Sequence, residues 1–107
     1  MLWDGKPSHG VCKSSKSSSE FRVQDQYGGT NKAWPEPPKE VVEMAIRACR
    51  CAPGGWHYAR CDFLKDELLG WCLIELEMLE PSFYLQFAQE KEVKRLAAML
   101  RRLATDK

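Results

Sequence analysis

Residues 56–79 read WHYARCDFLKDELLGWCLIELEML, and this stretch decides the fold. Two runs dense in apolar and aromatic residues, Trp56 to Leu64 and Trp71 to Leu79, are joined by Lys65 to Gly70. That arrangement predicts an antiparallel hairpin with a medium-length loop. Pro81 breaks the second strand, because proline cannot donate to a ladder. In extended chain, residues two apart point the same way, so Glu75 and Glu77 share one face. Ile74, Leu76 and Met78 take the other face, toward the core. An antiparallel neighbour brings Asp62 alongside the acidic pair. Three carboxylates converging on a sheet repel one another unless a cation sits among them. Hard oxygen ligands suit Mg²⁺, which keeps waters and bridges to substrate phosphates. The same alternation also describes the solvent face of an amphipathic strand, and periodicity alone leaves both readings open.

Moving outward, Pro53-Gly54-Gly55 closes a preceding helix that Pro37-Pro38 opens, proline being tolerated in the first helical turn. Within it Val42, Ala45, Ile46 and Cys49 recur at helical spacing. Trp34 to Pro38 reads as a connector. Upstream, Phe21, Val23 and Tyr27 alternate with Arg22, Gln24 and Gln26, the period-two pattern of a half-buried strand that Gly28-Gly29 stops. His9 to Lys13 is a short strand. Residues 14–19 form a Ser/Lys loop expected to be mobile, and polar residues 1–8 read as an irregular, flexible start. At the other end Val93, Leu96, Ala97, Leu100 and Leu103 form one face of an amphipathic helix, and its C-terminal basic cluster suits the helix dipole. The order β-β-α-β-β-α, without internal repeat, predicts one small α+β domain over 1–107: an antiparallel sheet with helices packed on one face.

Composition narrows the function classes. The chain has 107 residues, with 16 Lys+Arg against 15 Asp+Glu and a net charge of +1. No global field draws it to nucleic acid or to an anionic membrane. It contains no apolar run of membrane-spanning length and no signal-peptide-like leader, so the expectation is cytoplasmic. Five cysteines at irregular positions do not make a disulfide framework, in keeping with that expectation. Cys49, Cys51, His57 and Cys61 could supply four soft metal ligands, but their spacing is not a usual zinc-knuckle spacing.

Three ordered strings carry a resemblance. FRVQDQYGGT (21–30), YARCD (58–62) and LIELEMLEPSFYL (73–85) resemble the last part of ATP-grasp ligases of the glutathione-synthetase-like group, and PSHGVCK (7–13) resembles the strand before that family's substrate loop. The similarity spans roughly residues 7–88 and implies the C-terminal lobe of the ATP-grasp fold. It implies Mg²⁺ or Mn²⁺ and ATP as cofactors. On this resemblance Asp62 and Glu75 match the acidic residues holding the metal on the ATP phosphates. Glu77 falls where many relatives carry Asn, which keeps an oxygen ligand but adds negative charge. Arg22 matches an arginine on the γ-phosphate and the acyl-phosphate, a task its planar fork suits. Gly28 and Gly29 match a small-residue loop whose backbone N–H groups approach anionic substrate. His9 and Lys13 are further candidates for substrate contact.

The implied reaction is ATP-dependent C–N bond formation: a carboxylate is phosphorylated, and an amine displaces the phosphate to give an amide. No protein nucleophile is required, and the sequence carries no Ser/His/Asp or Cys/His signature. The family's adenine-binding hinge and upstream lysines have no counterpart in residues 1–6. The isolated chain is therefore expected to be inactive until joined to an N-terminal lobe, and self-association or pairing with such a lobe is expected. A non-catalytic interaction or dimerisation module and a small zinc-binding module are the alternatives.

Overall fold

The computed structural model describes residues 1–14 and 30–105. The strand β1 (Leu2–Trp3) turns through Asp4-Gly5 into β2 (Lys6–Pro7). Both turn residues have positive φ, 52° and 74°. That is the mirror-image two-residue turn that matches the twist of paired strands and favours Asp-Gly. Strand β3 (Gly10–Ser14) pairs antiparallel with β4 (Thr30–Trp34). Helix α1 (Lys39–Cys51) follows, then β5 (Tyr58–Asp66), β6 (Gly70–Glu77), a 3₁₀ turn (Leu85–Phe87) and α2 (Glu90–Thr105).

The main sheet has the order β2-β1-β5-β6, antiparallel throughout, and β3-β4 forms a separate ribbon. The class is thus α+β, an antiparallel sheet with two α-helices. Leu2 pairs with Ala59, and Trp3 with Tyr58. Consecutive strand residues point to opposite faces, so these two pairs divide the core in two. On one face Leu2 and Ala59 pack with Ala45 and Cys49 of α1, bordered by Cys61, Phe63, Leu76 and Met78. On the other, Trp3 packs with Leu96 and Met99 of α2, bordered by Tyr58 and Phe83. The helices therefore cover opposite faces of the sheet, where the pattern of elements alone suggests one shared face.

The start of the chain departs from expectation. Residues 2–7 form two strands of the sheet, β2 at its edge and β1 inside it, where Leu2 and Trp3 are 2% and 0% exposed. Each such burial stabilises by roughly 1.5–3 kcal/mol, enough to order a two-strand hairpin despite its polar flanks. Arg95 of α2 ties the hairpin down, donating to the carbonyls of Trp3, Lys6 and Pro7, while Arg102 donates to Asp4. Strand β4 ends at Trp34, so the connector expected over 34–38 is shortened by that one residue to 35–38. The expected strand over 21–27 and most of the Ser/Lys loop lie outside the described residues.

Helix α1 begins where Pro37-Pro38 suggests, with Pro38 at the cap, and buries Val41, Ala45 and Cys49 at i, i+4, i+8. Helix α2 buries Leu96 and Met99, with Leu103 packed beside them. Ala97 is exposed and Leu100 is 48% exposed, so the buried stripe is rotated from the expected face. The apolar arc of α2 is wider than the strip of sheet it covers.

Candidate functional site

The β5–β6 ladder places the acidic residues. Arg60 stands opposite Glu77 and Asp62 opposite Glu75, on the sheet face that carries Tyr58. Between Asp62 and Phe63 the register shifts, Phe63 pairing with Leu73, so Ile74 is the extra residue of a bulge on β6. The bulge ends the simple alternation there. Leu76 and Met78 pack on the α1 side as expected, but Ile74 is 62% exposed instead of core-facing.

A cation does sit beside the carboxylates, and it belongs to the protein. Arg60 donates to Asp62 through Nε (3.0 Å to Oδ1) and through a terminal nitrogen (3.2 Å to Oδ2). That same terminal nitrogen lies 3.6 Å from Oε2 of Glu75. Its other terminal nitrogen points to the Ser82 carbonyl at 3.4 Å. The Arg60 and Asp62 side chains are only 14% and 20% exposed, against 51% for Glu75. Sequence reasoning assigned no role to Arg60. The signal that finds it is its position two residues before Asp62 on one strand, which puts both on one face.

Glu77 shares this face by register but is engaged elsewhere: its Oε1 accepts the Leu79 backbone N–H at 2.7 Å. Asp62 and Glu75 are therefore brought together, and Glu77 is adjacent but turned aside. Two carboxylates are a usual protein share of a Mg²⁺ site that substrate phosphates complete, but the charge of this pair is met by the Arg60 guanidinium. Among the described residues no three His, Cys, Asp or Glu side chains stand together as a ligand set. Arg22, Gly28 and Gly29 lie outside the described residues.

The other candidates have structural partners. His9 Nε2 lies 2.7 Å from the Phe83 carbonyl, so it carries the proton, leaving Nδ1 to accept from Ser8 Oγ at 2.8 Å. Desolvation holds the His9 pKa below its ordinary value, with the Phe83 carbonyl acting against it. Lys13 Nζ sits 4.8 Å from the centre of the Tyr84 ring. The Cys49 and Cys61 sulfurs are 3.8 Å apart under α1, whereas Cys51 and His57 are exposed. Positions 49 and 51 of a helix point about 200° apart, which separates the expected soft-ligand cluster. Burial raises both inner thiols, Cys61 to about 12.

A second surface feature is apolar. Leu64, Leu68, Leu69 and Ile74, in the outer part of the β5–β6 hairpin, are 59%, 94%, 78% and 62% exposed. Asp66 shapes the tip by accepting the Leu68 and Leu69 N–H groups, and Gly70 supplies the φ of 76° that returns the chain. No helix among the described residues is long and apolar enough to cross a membrane. Comparison with protein-family models, with curated proteins and with solved structures gives no match for this chain.

Proposed function

We propose that this chain carries the metal–phosphate side of the site of an ATP-dependent carboxylate–amine ligase of the ATP-grasp kind, with Asp62 and Glu75 as Mg²⁺ ligands. The supporting observation is that Asp62 and Glu75 are direct cross-strand partners on one face, gathered about one guanidinium. Asp62 is held by the sheet and largely shielded, so it supplies a fixed oxygen, while the more exposed Glu75 supplies an adjustable one. Glu77, one register position along, is a carboxylate in reserve whose present bond is to a backbone N–H. When bound, Mg²⁺ neutralises charge on the transferring phosphoryl group. Arg22, Gly28 and Gly29 complete the phosphate side in this reading. An N-terminal lobe would supply the nucleotide clamp, and the chain is expected to work only when joined to it. Cytoplasmic residence accompanies the proposal.

Calorimetric titration of Mg·ATP into the 107-residue chain, its Asp62→Ala and its Glu75→Ala variants tests the assignment. Binding that both substitutions abolish is the expected result. Binding of equal strength in all three proteins, or none in the folded parent chain, would overturn the claim that this pair presents the site.

The exposed leucines of the hairpin favour a second reading, an interaction module that pairs with another lobe or with itself. Sedimentation of the parent chain against Leu68→Asp/Leu69→Asp checks it. A concentration-dependent oligomer lost in the variant supports it, and a monomer at all concentrations removes the self-association form.

A further inference from the structure

We propose that two copies of this chain exchange their hairpin tips: Leu68 and Leu69 of each copy fill a cavity beside Trp34 and Phe87 of the other, giving a closed dimer. The proposal deepens the interaction-module reading and rests on it. It does not depend on the acidic pair. Three observations carry it.

The first is an apolar knob. Leu68 and Leu69 are 94% and 78% exposed at the tip of the β5–β6 hairpin. The tip is shaped to present them. Asp66 Oδ1 accepts both of their N–H groups, at 2.8 and 2.9 Å, so those groups can leave water without losing a partner.

The second is a socket of matching size. Between β4 and the start of α2 lies a cavity of about 280 Å³ walled by Ala33, Trp34, Pro35 and Phe87. Two leucine side chains, at roughly 30 Å³ per carbon group (a water's share of its liquid), need about 240 Å³. Knob and socket adjoin on the molecule. Trp71, two residues beyond Leu69, has its ring 5.5 Å from that of Trp34. The exposure of both leucines shows that the tip does not enter the socket of its own chain. A knob beside its socket is the geometry of reciprocal exchange. About a two-fold axis next to the Trp34–Trp71 pair, each copy gives a tip and receives one, and the assembly closes at two.

The third is charge. The tip carries Glu67 and the socket's rim carries Lys91, both exposed and, among the described residues, without an ion-pair partner. The carboxylate at the socket, Glu92, is already bound to Arg95 at 2.8 Å. Exchange sets Glu67 of one copy beside Lys91 of the other, twice per dimer, which steers the tip into its socket. The chain supplies both halves of the contact, and this selects a second copy as the occupant over an unlike partner.

Sedimentation equilibrium of the full chain tests the exchange. The expected result is a monomer–dimer equilibrium with no larger species. Leu68→Asp/Leu69→Asp should raise the dimer Kd at least about hundredfold, since each socket loses two buried leucines. Glu67→Lys and Lys91→Glu should each weaken the dimer, and the two together should restore it, because only a contact between those residues is repaired by exchanging their charges. Leu68, Leu69, Glu67 and Lys91 are all exposed, so these variants leave the fold intact. A monomer at every concentration, or a dimer indifferent to Leu68→Asp/Leu69→Asp, overturns the proposal. Growth beyond the dimer also overturns it, because that marks a head-to-tail contact in place of a reciprocal one. A dimer lost in the leucine variant but untouched by both charge reversals overturns the socket and leaves the interaction module standing.

Discussion

Arg60 and Asp62, two residues apart on β5, are joined by two N–H···O bonds of 3.0 and 3.2 Å. A bond between i and i+2 on a strand runs along one face, so it costs the sheet no ladder hydrogen bond. It orients the Asp62 carboxylate toward Glu75 on the next strand. The fork therefore sets the geometry of the acidic pair.

Asp62→Asn keeps the shape but removes the charge, leaving Arg60 mostly shielded and poorly matched. The expected loss is about 1–2 kcal/mol, between the values for exposed and buried pairs. Glu75→Gln, at a longer distance and a more exposed site, should cost under about 0.5 kcal/mol. Urea unfolding of both variants measures the difference, and equal effects would contradict this account.

Trp3 is fully buried between Phe83 and α2, its ring edge-on to Phe83 at 5.3 Å. Trp3→Ala should cost about 3–5 kcal/mol, enough to unfold much of a small domain. Among the described residues its Nε1–H has no hydrogen-bond partner. Trp3→Phe removes that orphan donor together with some volume, so its loss should stay below about 2 kcal/mol. Thermal denaturation ranks the three proteins.

His9 binds protons less readily in the folded chain than in the unfolded one. Desolvation is the main cause, the Phe83 carbonyl opposes it, and the Met1 ammonium reinforces it against Glu92. The contribution is fully present above the unfolded value of about 6.5 and is lost as pH falls from there through the lower folded value. Stability measured between pH 7 and 5 should therefore decline with acid. His9→Gln, which can still donate to Phe83 without titrating, should flatten that decline.

The cysteines should separate by reactivity. Cys51 is exposed, whereas Cys49 is 1% exposed and Cys61 is held at about 12 by burial first and by Cys49 second. Thiolate is the reactive form, so iodoacetamide at neutral pH should label Cys51 well before Cys49 or Cys61. Mass spectrometry of the native and the urea-unfolded chain reads the order, and early labelling of Cys61 would show that the α1 face opens readily.

Local signals in the sequence determined α1, which starts after Pro37-Pro38 and ends before Pro53-Gly54-Gly55, and the existence of the β5–β6 hairpin, although pairing runs on to Asp66 and Gly70 and leaves a loop of residues 67–69 in place of 65–70. They also determined that Glu75 and Glu77 share a face, because strand alternation is a property of the backbone itself. The Asp4-Gly5 turn was equally local, yet the polar composition of residues 1–8 masked it. Only the tertiary structure decided what depends on distant partners. The bulge shifts the β5–β6 register and turns Ile74 outward. Leu2 and Trp3 send their side chains to opposite faces, so α1 and α2 cover different sides of the sheet. Helix α2 had an apolar arc too wide to say which part is buried, and contact with Trp3 selected Leu96 and Met99. The carboxylates needed a cation by Coulomb's law. That Arg60 supplies one follows from a side chain's reach across the face, which no spacing along the chain specifies.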